Sequence, residues 1–357
     1  TTISIGSAFE GIGSANNGYR SKTFEKFCGS LETFRQRVEA RYQGTVYPQG
    51  TALAGKTFDA ANGGVNAYSA DVLIPAFLSA YTSGNAKDLD IFPSALHMLP
   101  NWTIRYNGLS KLPWLRDHFN AVNINHSYRS IYAVGAYQSF STFASLAGDN
   151  TMGFVTDATT GNLVPNSMFN VSTVSINESF SPLFGIDVTF LNNMTAKLEY
   201  RQTRALSLSM TSVQLNEAVS KDWVFGWGWR LDNFNLFGFG GKKSARRKGK
   251  NSSNSQQTAQ TSQRRSQTGT NHGLNLRLDM SYRKQAAITR NITTVSSTAS
   301  SGNTAFKLSF SAEYTLSKLM SMSFYLDRQT NTPLLASSSY PTTTQDFGLS
   351  IKFSLTR

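Results

Sequence analysis

Apolar and polar residues alternate along most of the chain from about residue 101 to its end. In the last such stretch Phe347, Leu349, Ile351 and Phe353 alternate with small or polar residues. A period of two places the apolar side chains on one face of a β-strand and the polar ones on the other. The alternation recurs around Trp102, Val122, Phe184, Leu198, Phe225, Leu278, Phe310 and Phe324. With a short strand-like stretch at residues 1–9, the pattern predicts about ten strands of roughly 9–18 residues.

The lengths of these segments point to a class of β fold. Strands of globular proteins usually have ~5–6 residues, whereas membrane-spanning strands need ~9–11. Tight turns such as Leu191-Asn192-Asn193 join neighbouring segments. We therefore predict an all-β fold, an antiparallel transmembrane β-barrel to which residues 101–357 contribute the C-terminal strands. The alternative is a soluble β-sandwich of lectin type, whose long apolar faces would be buried between two sheets.

A different periodicity occupies residues 10–100. Apolar residues recur at helical spacing from Phe24 to Tyr42, after a candidate N-cap at Ser21 or Thr23. A shorter helix is predicted from about Ser69 to Tyr81, with Pro75 either kinking it or marking its true start. We interpret residues 10–100 as a small helical extracellular insertion that packs as a cap. A plug or a docking surface is the alternative.

Composition agrees with a membrane barrel. Charged residues make up 15% of the chain and aromatic residues 12%, against a usual charged share of about a quarter. Serine, threonine and asparagine supply the remaining polarity, as they do on barrel lumens. No apolar run reaches the ~18 residues of a membrane helix. The chain opens on a strand-like segment without a signal peptide, which we interpret as a mature piece or a fragment of a longer protein. The lone Cys28 cannot form an internal disulfide.

Charged residues within the strands fall in the polar phase of the alternation. This phase predicts that they are wetted by the lumen and paired with neighbours, rather than acting as acid/base pairs. The predicted lumen-facing residues are Lys197, Glu199, Arg201, Arg277, Asp279, Lys307, Glu313 and Lys352.

Signals for catalysis are sparse. The four histidines are scattered without metal-ligand spacing, and we find no nucleophile elbow and no phosphate-binding glycine loop. We predict no enzyme activity, no cofactor and no metal. Two clusters of aromatic residues could bind a ligand, although contact with lipid or an interfacial girdle is favoured. One cluster is Trp223, Trp227 and Trp229, and the other is Phe234, Phe237 and Phe239.

Residues 241–271 form the most biased segment. They hold eight positive charges, no acid and no aromatic residue. Without apolar residues the segment is predicted to be a disordered, solvated loop. No aromatic side chain is interleaved to stack bases, so we predict no nucleic-acid partner. Contact with anionic lipid headgroups is a minor alternative.

Loop lengths predict an orientation. In bacterial barrels the C-terminus faces the periplasm, turns on that side are short and outer loops are long. The turns at about 191–193 and 316–318 then lie on the periplasmic side. Long loops at about 142–171, 211–219, 289–303 and 329–343 lie outside with the helical insertion, whereas the long loop at 241–271 breaks the rule.

Several phrases of the sequence resemble a known family. Asp346, Gly348, Ile351 and Phe353 have a spacing similar to the C-terminal signal read by the barrel-assembly machinery. Other segments resemble the C-terminal region of the SprA/Sov translocon, the outer-membrane barrel of the Bacteroidetes type 9 secretion system. These segments are residues 74–81 (IPAFLSAY), 107–112 (NGLSKL), 125–130 (NHSYRS), 175–182 (SINESFSP) and 338–343 (SSYPTT).

The resemblance implies a function that the residues alone do not. It implies a passive protein-conducting channel in the cell outer membrane that exports folded cargo with a C-terminal signal, and in some members supports gliding motility. It also implies a lateral opening where a PorV-like barrel or a plug protein docks. About ten strands would enclose only a narrow pore, so this chain would form part of the wall. The alternative is a complete small outer-membrane porin or adhesin.

Overall fold

The computed structural model describes residues 8–11, 13–82, 101–146, 149–232, 234, 273–317, 319–335 and 340–354. Its helices are α1 (Lys22–Tyr42), α2 (Ala70–Tyr81) and the short α3 (Pro113–Arg116). Its strands are β1 (Trp102–Tyr106), β2 (Phe119–Val134), β3 (Tyr137–Ser139), β4 (Ala144–Leu146), β5 (Asp149–Thr156), β6 (Leu163–Ser167), β7 (Phe169–Val171), β8 (Thr173–Phe190), β9 (Met194–Ser209), β10 (Gln214–Asp232), β11 (Gly273–Asn291), β12 (Ser296–Ser317), β13 (Met320–Pro333) and β14 (Thr342–Phe353).

One large antiparallel sheet dominates the molecule. Its nine strands are hydrogen-bonded in the order β1-β2-β8-β9-β10-β11-β12-β13-β14. Each of these strands runs antiparallel to its neighbours in this order, which is the arrangement that hairpin connections produce. Within the described residues β1 and β14 each pair on one side only, so the described sheet is open. These nine strands correspond to nine of the ten that the alternation predicted.

The two main helices form as their apolar spacing predicts. The α1 helix begins after Ser21, whose hydroxyl accepts a hydrogen bond from Phe24 N at 3.2 Å, which satisfies one free N–H of the first turn. The α2 helix is buried along nearly its whole length, which identifies it as the central core helix. Pro75 lies inside α2 and is itself buried, so the proline does not mark the start of the helix. Among the described residues, no helix combines the length and apolar character needed to cross a bilayer.

The main core lies at one end of the large sheet, here called the cap end. It joins α1, α2 and the two small sheets, β3-β7 and β4-β5-β6, to the cap-end halves of β8, β9 and β10. Phe27 contacts Phe77 and Tyr81 with ring centroids 6.1 and 6.4 Å apart. The carboxylate of Asp71 accepts a hydrogen bond from Ser167 N at 2.7 Å, which ties α2 to β6. Burial raises the pKa of this carboxyl group above its usual value.

Two loop predictions are wrong, because the expected loops at 211–219 and 289–303 are four-residue turns at 210–213 and 292–295. Two others are correct only in part: residues 142–171 lie in the long connection between β2 and β8 but contain short strands, and β13 and β14 extend into the loop expected at 329–343. The alternation was missed at 211–219 and 289–303 because Glu217 and Lys221 on β10 and Lys284 and Arg290 on β11 interrupt the apolar phase, and because β12 carries mainly serine, threonine, asparagine and alanine at its cap end. The shorter turns weaken the difference in loop length between the two ends, so the orientation stays a prediction.

Other predictions fall outside the described residues. Residues 1–7 of the first expected strand are not described, and Ala8 and Phe9 do not belong to a strand. The basic segment 241–271, His97, His272, Phe237 and Phe239 also lie outside the described residues.

Candidate membrane-facing band and polar face

The pairing register aligns the apolar phase of all nine strands on one face of the large sheet. Leu198, Phe225 and Met280 stand directly opposite one another on β9, β10 and β11, and the neighbouring strands continue the row. We call this side the apolar face. Its uncovered part, the apolar band, includes Ile186, Leu198, Phe225, Met280, Leu308, Leu326 and Phe347 together with the apolar residues that alternate with polar ones on the same strands.

Apart from Val122 and Tyr314, which are 7% and 5% exposed, the described residues of the apolar band are not buried. Trp223 is 47% exposed, and on β14 Phe347 and Leu349 are 74% and 62% exposed. Contiguous apolar surface across nine strands exceeds what a monomeric soluble protein usually leaves in water. The band is therefore an interaction surface for an apolar phase or partner.

Aromatic side chains mark the border of the band on the cap side. Phe184, Tyr200, Trp223, Tyr282 and Phe306 are consecutive partners across β8 to β12. The rings of Tyr200 and Trp223 are 4.6 Å apart at their centroids. This arrangement fits the expected girdle better than a ligand pocket, because the rings lie side by side on one face. Trp227 and Trp229 lie on the same face further from the cap, and Trp229 Nε1 donates to Asn192 O at 3.3 Å. Phe234 is described but belongs to no strand.

Two buried ion pairs lie on the same face, between the apolar band and the helical core. We call them the ion-pair row. Glu178 accepts a hydrogen bond from Arg204 Nε at 2.9 Å, and Tyr128 OH donates to the same carboxylate at 3.2 Å. Glu217 accepts from Arg290 Nε at 2.8 Å. All four charged side chains are less than a tenth exposed.

The ion-pair row also connects the sheet to the helical unit. Arg204 lies over the ring of Tyr81, 5.8 Å from its centroid, and Arg290 lies 5.6 Å from the ring centroid of Phe24. Arg290 Nη1 donates to Tyr19 O at 2.7 Å. Burial raises the pKa of Tyr81 well above its usual value, so this phenol stays neutral. Breaking a buried pair by removing one partner typically costs ~3–5 kcal/mol.

The sequence analysis missed the ion-pair row. A signal was present, because Arg204 and Glu178 occupy the apolar phase of their strands, between Tyr200 and Leu206 and between Ile176 and Phe180. A charged residue in the apolar phase is either buried and paired with an opposite charge, or it interrupts the apolar face of the strand.

All eight residues predicted to face a lumen share the opposite side of the sheet, here called the polar face. Lys197 Nζ lies 2.8 Å from Glu199 and 4.0 Å from Asp187. Arg201 also pairs with Glu199, and Arg277 lies 2.6 Å from Asp279. Lys307, Glu313 and Lys352 form no ion pair with the described residues.

Charge on the polar face of β8 to β11 is balanced. Arg283 pairs with Asp222 at 2.8 Å, and Arg230 with Asp232 at 3.0 Å. These strands thus carry five cations and five carboxylates on this face, namely Lys197, Arg201, Arg230, Arg277 and Arg283, and Asp187, Glu199, Asp222, Asp232 and Asp279.

Gly226 and Gly228 flank Trp227 in the sequence but lie on the polar face, whereas the tryptophans lie on the apolar face. The glycines therefore do not relieve crowding around the tryptophan rings. A Cβ atom at Gly228 would lie 2.9 Å from Thr195 Oγ1, and one at Gly226 would lie 3.3 Å from Asp279 Oδ1. The two glycines form the floor of an open groove of about 860 Å³ between charged side chains. Their role is to leave space on the polar face.

The four residues of the expected assembly signal divide between the two faces of β14. Ile351 and Phe353 pair with Met322 and Met320 on the apolar face. Asp346 and Gly348 lie on the polar face opposite Asp327 and Tyr325.

Other candidate chemical groups lie apart from one another. His126 Nδ1 lies 2.7 Å from Leu183 O, and no group of three or more histidine, cysteine or acidic residues in the described part of the chain could hold a metal ion. Burial raises the pKa of the Cys28 thiol to about 11, which makes it a poor nucleophile at neutral pH.

A steric prediction follows for the closing strand. A Cβ atom at Gly348 would lie 2.5–2.6 Å from the ring of Tyr325, so Gly348→Ala must displace this ring. We expect a loss of about 1–3 kcal/mol in the free energy of unfolding. In the Tyr325→Ala background the same substitution should cost much less, because the ring is gone. Urea titration of the four proteins in detergent measures this coupling.

Gly273→Ala is the matched control, because a Cβ atom there meets only Leu231 O at 3.9 Å. Its effect should stay within about 0.5 kcal/mol. If Gly348→Ala lowers the free energy of unfolding equally with and without the Tyr325 ring, contact with this ring is not the reason that position 348 requires glycine.

No protein-family model matches the sequence, and no curated protein matches it. We therefore infer the function from the two faces of the sheet, together with the resemblance of the segments quoted above.

Proposed function

We propose that the chain forms part of the wall of an outer-membrane β-barrel, and that the polar face lines the protein-conducting channel of a type 9 secretion translocon. The observation that carries the proposal is the uncovered apolar band, which continues in register across nine strands. A lipid bilayer is the apolar phase that a surface of this shape fits.

The height of the apolar band suits a membrane. From Trp223 to Leu231 the band extends about 27 Å along β10 at ~3.4 Å per residue. A strand tilt of 35–45° would reduce this to roughly 20 Å across the bilayer, comparable to the ~25 Å apolar band of outer-membrane barrels. The long strands continue past the band at the cap end, where helices cover the same face.

The polar face supports an aqueous channel. Its charges are paired on β8 to β11, and its glycines leave an open groove. Because positive and negative charges are equal in number on these strands, the surface would attract neither cations nor anions strongly. Such a wall is suited to the passage of varied polypeptides rather than to selection of one ion.

The position of the helical unit supports a cap rather than a plug. The α1 and α2 helices pack against the apolar face at the cap end, through Tyr81 and Phe24 over the ion-pair row. If the apolar face meets lipid, the unit stands outside the wall and leaves the polar face free.

The open sheet favours part of a wall over a complete small porin or adhesin. Within the described residues, the outer edges of β1 and β14 have no strand partner. Unpaired edges inside a bilayer leave N–H and C=O groups without water. These edges require strands from outside the described residues or a partner, such as the PorV-like barrel or plug protein that the resemblance implies.

Substitution of arginine on the two faces tests membrane contact. Leu278→Arg on the apolar face should cost about 2–4 kcal/mol in the free energy of unfolding, because it places a charge in the hydrocarbon region. Ser309→Arg is the matched control on the polar face, opposite Asp279 and Asp327, and should be tolerated. Stability in lipid vesicles and resistance to carbonate extraction measure both effects. Equal tolerance of the two substitutions would contradict a lipid-facing band.

Photo-crosslinking tests the passage of cargo. A photoreactive residue at Ser281 on the polar face should capture an exported protein stalled in transit by a tightly folded fusion domain. The same residue at Met280 on the apolar face should capture lipid instead. Secretion of cargo in unirradiated cells is the control for assembly. If the protein assembles and Ser281 captures no cargo while secretion continues, the channel proposal is wrong and a porin or adhesin is favoured.

A further inference from the structure

Two lysines lie side by side at the cap-side border of the apolar band. Lys221 on β10 and Lys284 on β11 are direct partners in the register. Both lie on the apolar face, two residues beyond Trp223 and Tyr282 of the aromatic row. We call Lys221 and Lys284 the basic pair.

Like charges directly opposite one another on neighbouring strands destabilise a sheet. No ion pair among the described residues compensates this repulsion. In the flanking positions, Gln202 on β9 donates its amide to Ala8 O, and Thr304 on β12 is neutral. The basic pair forms no ion pair with a described carboxylate.

The two carboxylates on the same stretch of β10 are already engaged. Glu217 on β10 is buried against Arg290, closer to the cap end. Asp222 lies on the opposite face and pairs with Arg283. Arg328 on β13 is a third cation on the apolar face, but its direct partner is Leu308 within the band, four residues along β13 from the row of the basic pair. The cap-side border of the band is therefore cationic on β10 and β11.

The surroundings identify the chemistry of the missing partner. Tyr200, Trp223 and Tyr282 lie at the cap-side border of the band. If the band contacts lipid, this is the depth at which aromatic rings meet lipid headgroups. Lysine side chains at such a border extend their ammonium groups toward the headgroup region. An ammonium group binds phosphate as a point charge. A phosphate between the two lysines would remove their repulsion.

We propose that Lys221 and Lys284 bind the phosphate groups of an anionic lipid headgroup at the cap-side border of the band. The inference rests on the proposed function in one respect, because it requires the apolar band to contact lipid. The site would hold the wall at a fixed depth in the membrane beside the helical unit.

Native mass spectrometry of the full chain, extracted in detergent from membranes of expressing cells, tests the proposal. The probe is lipid A, which carries two phosphates, with phosphatidylcholine as the neutral lipid. The wild-type protein should bind lipid A in preference to phosphatidylcholine. Removal of each charge should weaken binding about fivefold, so Lys221→Gln/Lys284→Gln should lose roughly 25-fold. The double variant Lys307→Gln/Lys352→Gln removes the same charge from the polar face and should bind lipid A as wild type does.

Three outcomes would overturn the proposal. The first is unchanged binding in the Lys221→Gln/Lys284→Gln protein, with circular dichroism showing an intact fold. The second is equal loss in the polar-face variant, which would indicate a general effect of net charge. The third is full competition by inorganic phosphate at millimolar concentration, which would assign the basic pair to a free anion.

Carbonate extraction of the same membranes separates this inference from the proposed function. If wild type remains in the membrane pellet but shows no preference for lipid A, only the headgroup site is wrong. If carbonate releases the wild-type protein, the band does not contact lipid, and both proposals fail.

Discussion

The register of the large sheet is the constraint on which the rest of the structure depends. A slip of one residue between two strands would exchange the faces of every side chain beyond that point. The nine strands instead keep Leu198, Phe225 and Met280 in one row and Lys197, Gly226 and Asp279 in the opposite one. Where β8 departs from regular pairing with β9, between Phe180 and Phe184, both sides of the irregularity stay in the same phase. Register shifts of one residue occur only toward strand ends, at 119–121, 287–288 and 315–317. The two faces therefore hold across the sheet between these shifts.

Along each central strand the apolar face changes its environment once. At the cap end it is buried by α1 and α2, and beyond the ion-pair row it is uncovered. Glu178, Arg204, Glu217 and Arg290 lie at this change, where charges replace apolar residues and bind one another and the helical unit. The same strands thus form one side of a buried core and also present an uncovered apolar face. The ion-pair row lies between these two parts and connects the helical unit to the apolar face.

Much of this organisation could be predicted from periodicity. The alternation gave nine strands of the large sheet, the helical spacing from Phe24 to Tyr42 gave α1, and the polar phase gave the shared face of the eight charged residues. The cap end of β12 could not be recognised, because Ser297 and Ala299 are too small to produce an apolar signal, and on β10 and β11 the charges of Glu217, Lys284 and Arg290 interrupt the apolar phase. The ion-pair row and the contact of Tyr325 with Gly348 depend on which strands pair and in which register. A single sequence does not encode that pairing in any local pattern.

Site-directed spin labelling along β11 tests the central claim most directly. Nitroxides placed one at a time from Leu274 to Lys284 in lipid vesicles would be measured for collision with oxygen, which partitions into lipid, and with a water-soluble nickel chelate. We predict a period of two, with the even positions from Leu274 to Tyr282 accessible to oxygen and the odd positions from Asn275 to Ser281 accessible to nickel. The preference for oxygen should end at Lys284. An absence of alternation, or even positions shielded from both reagents as in the interior of a sandwich, would contradict a wall with one face in lipid.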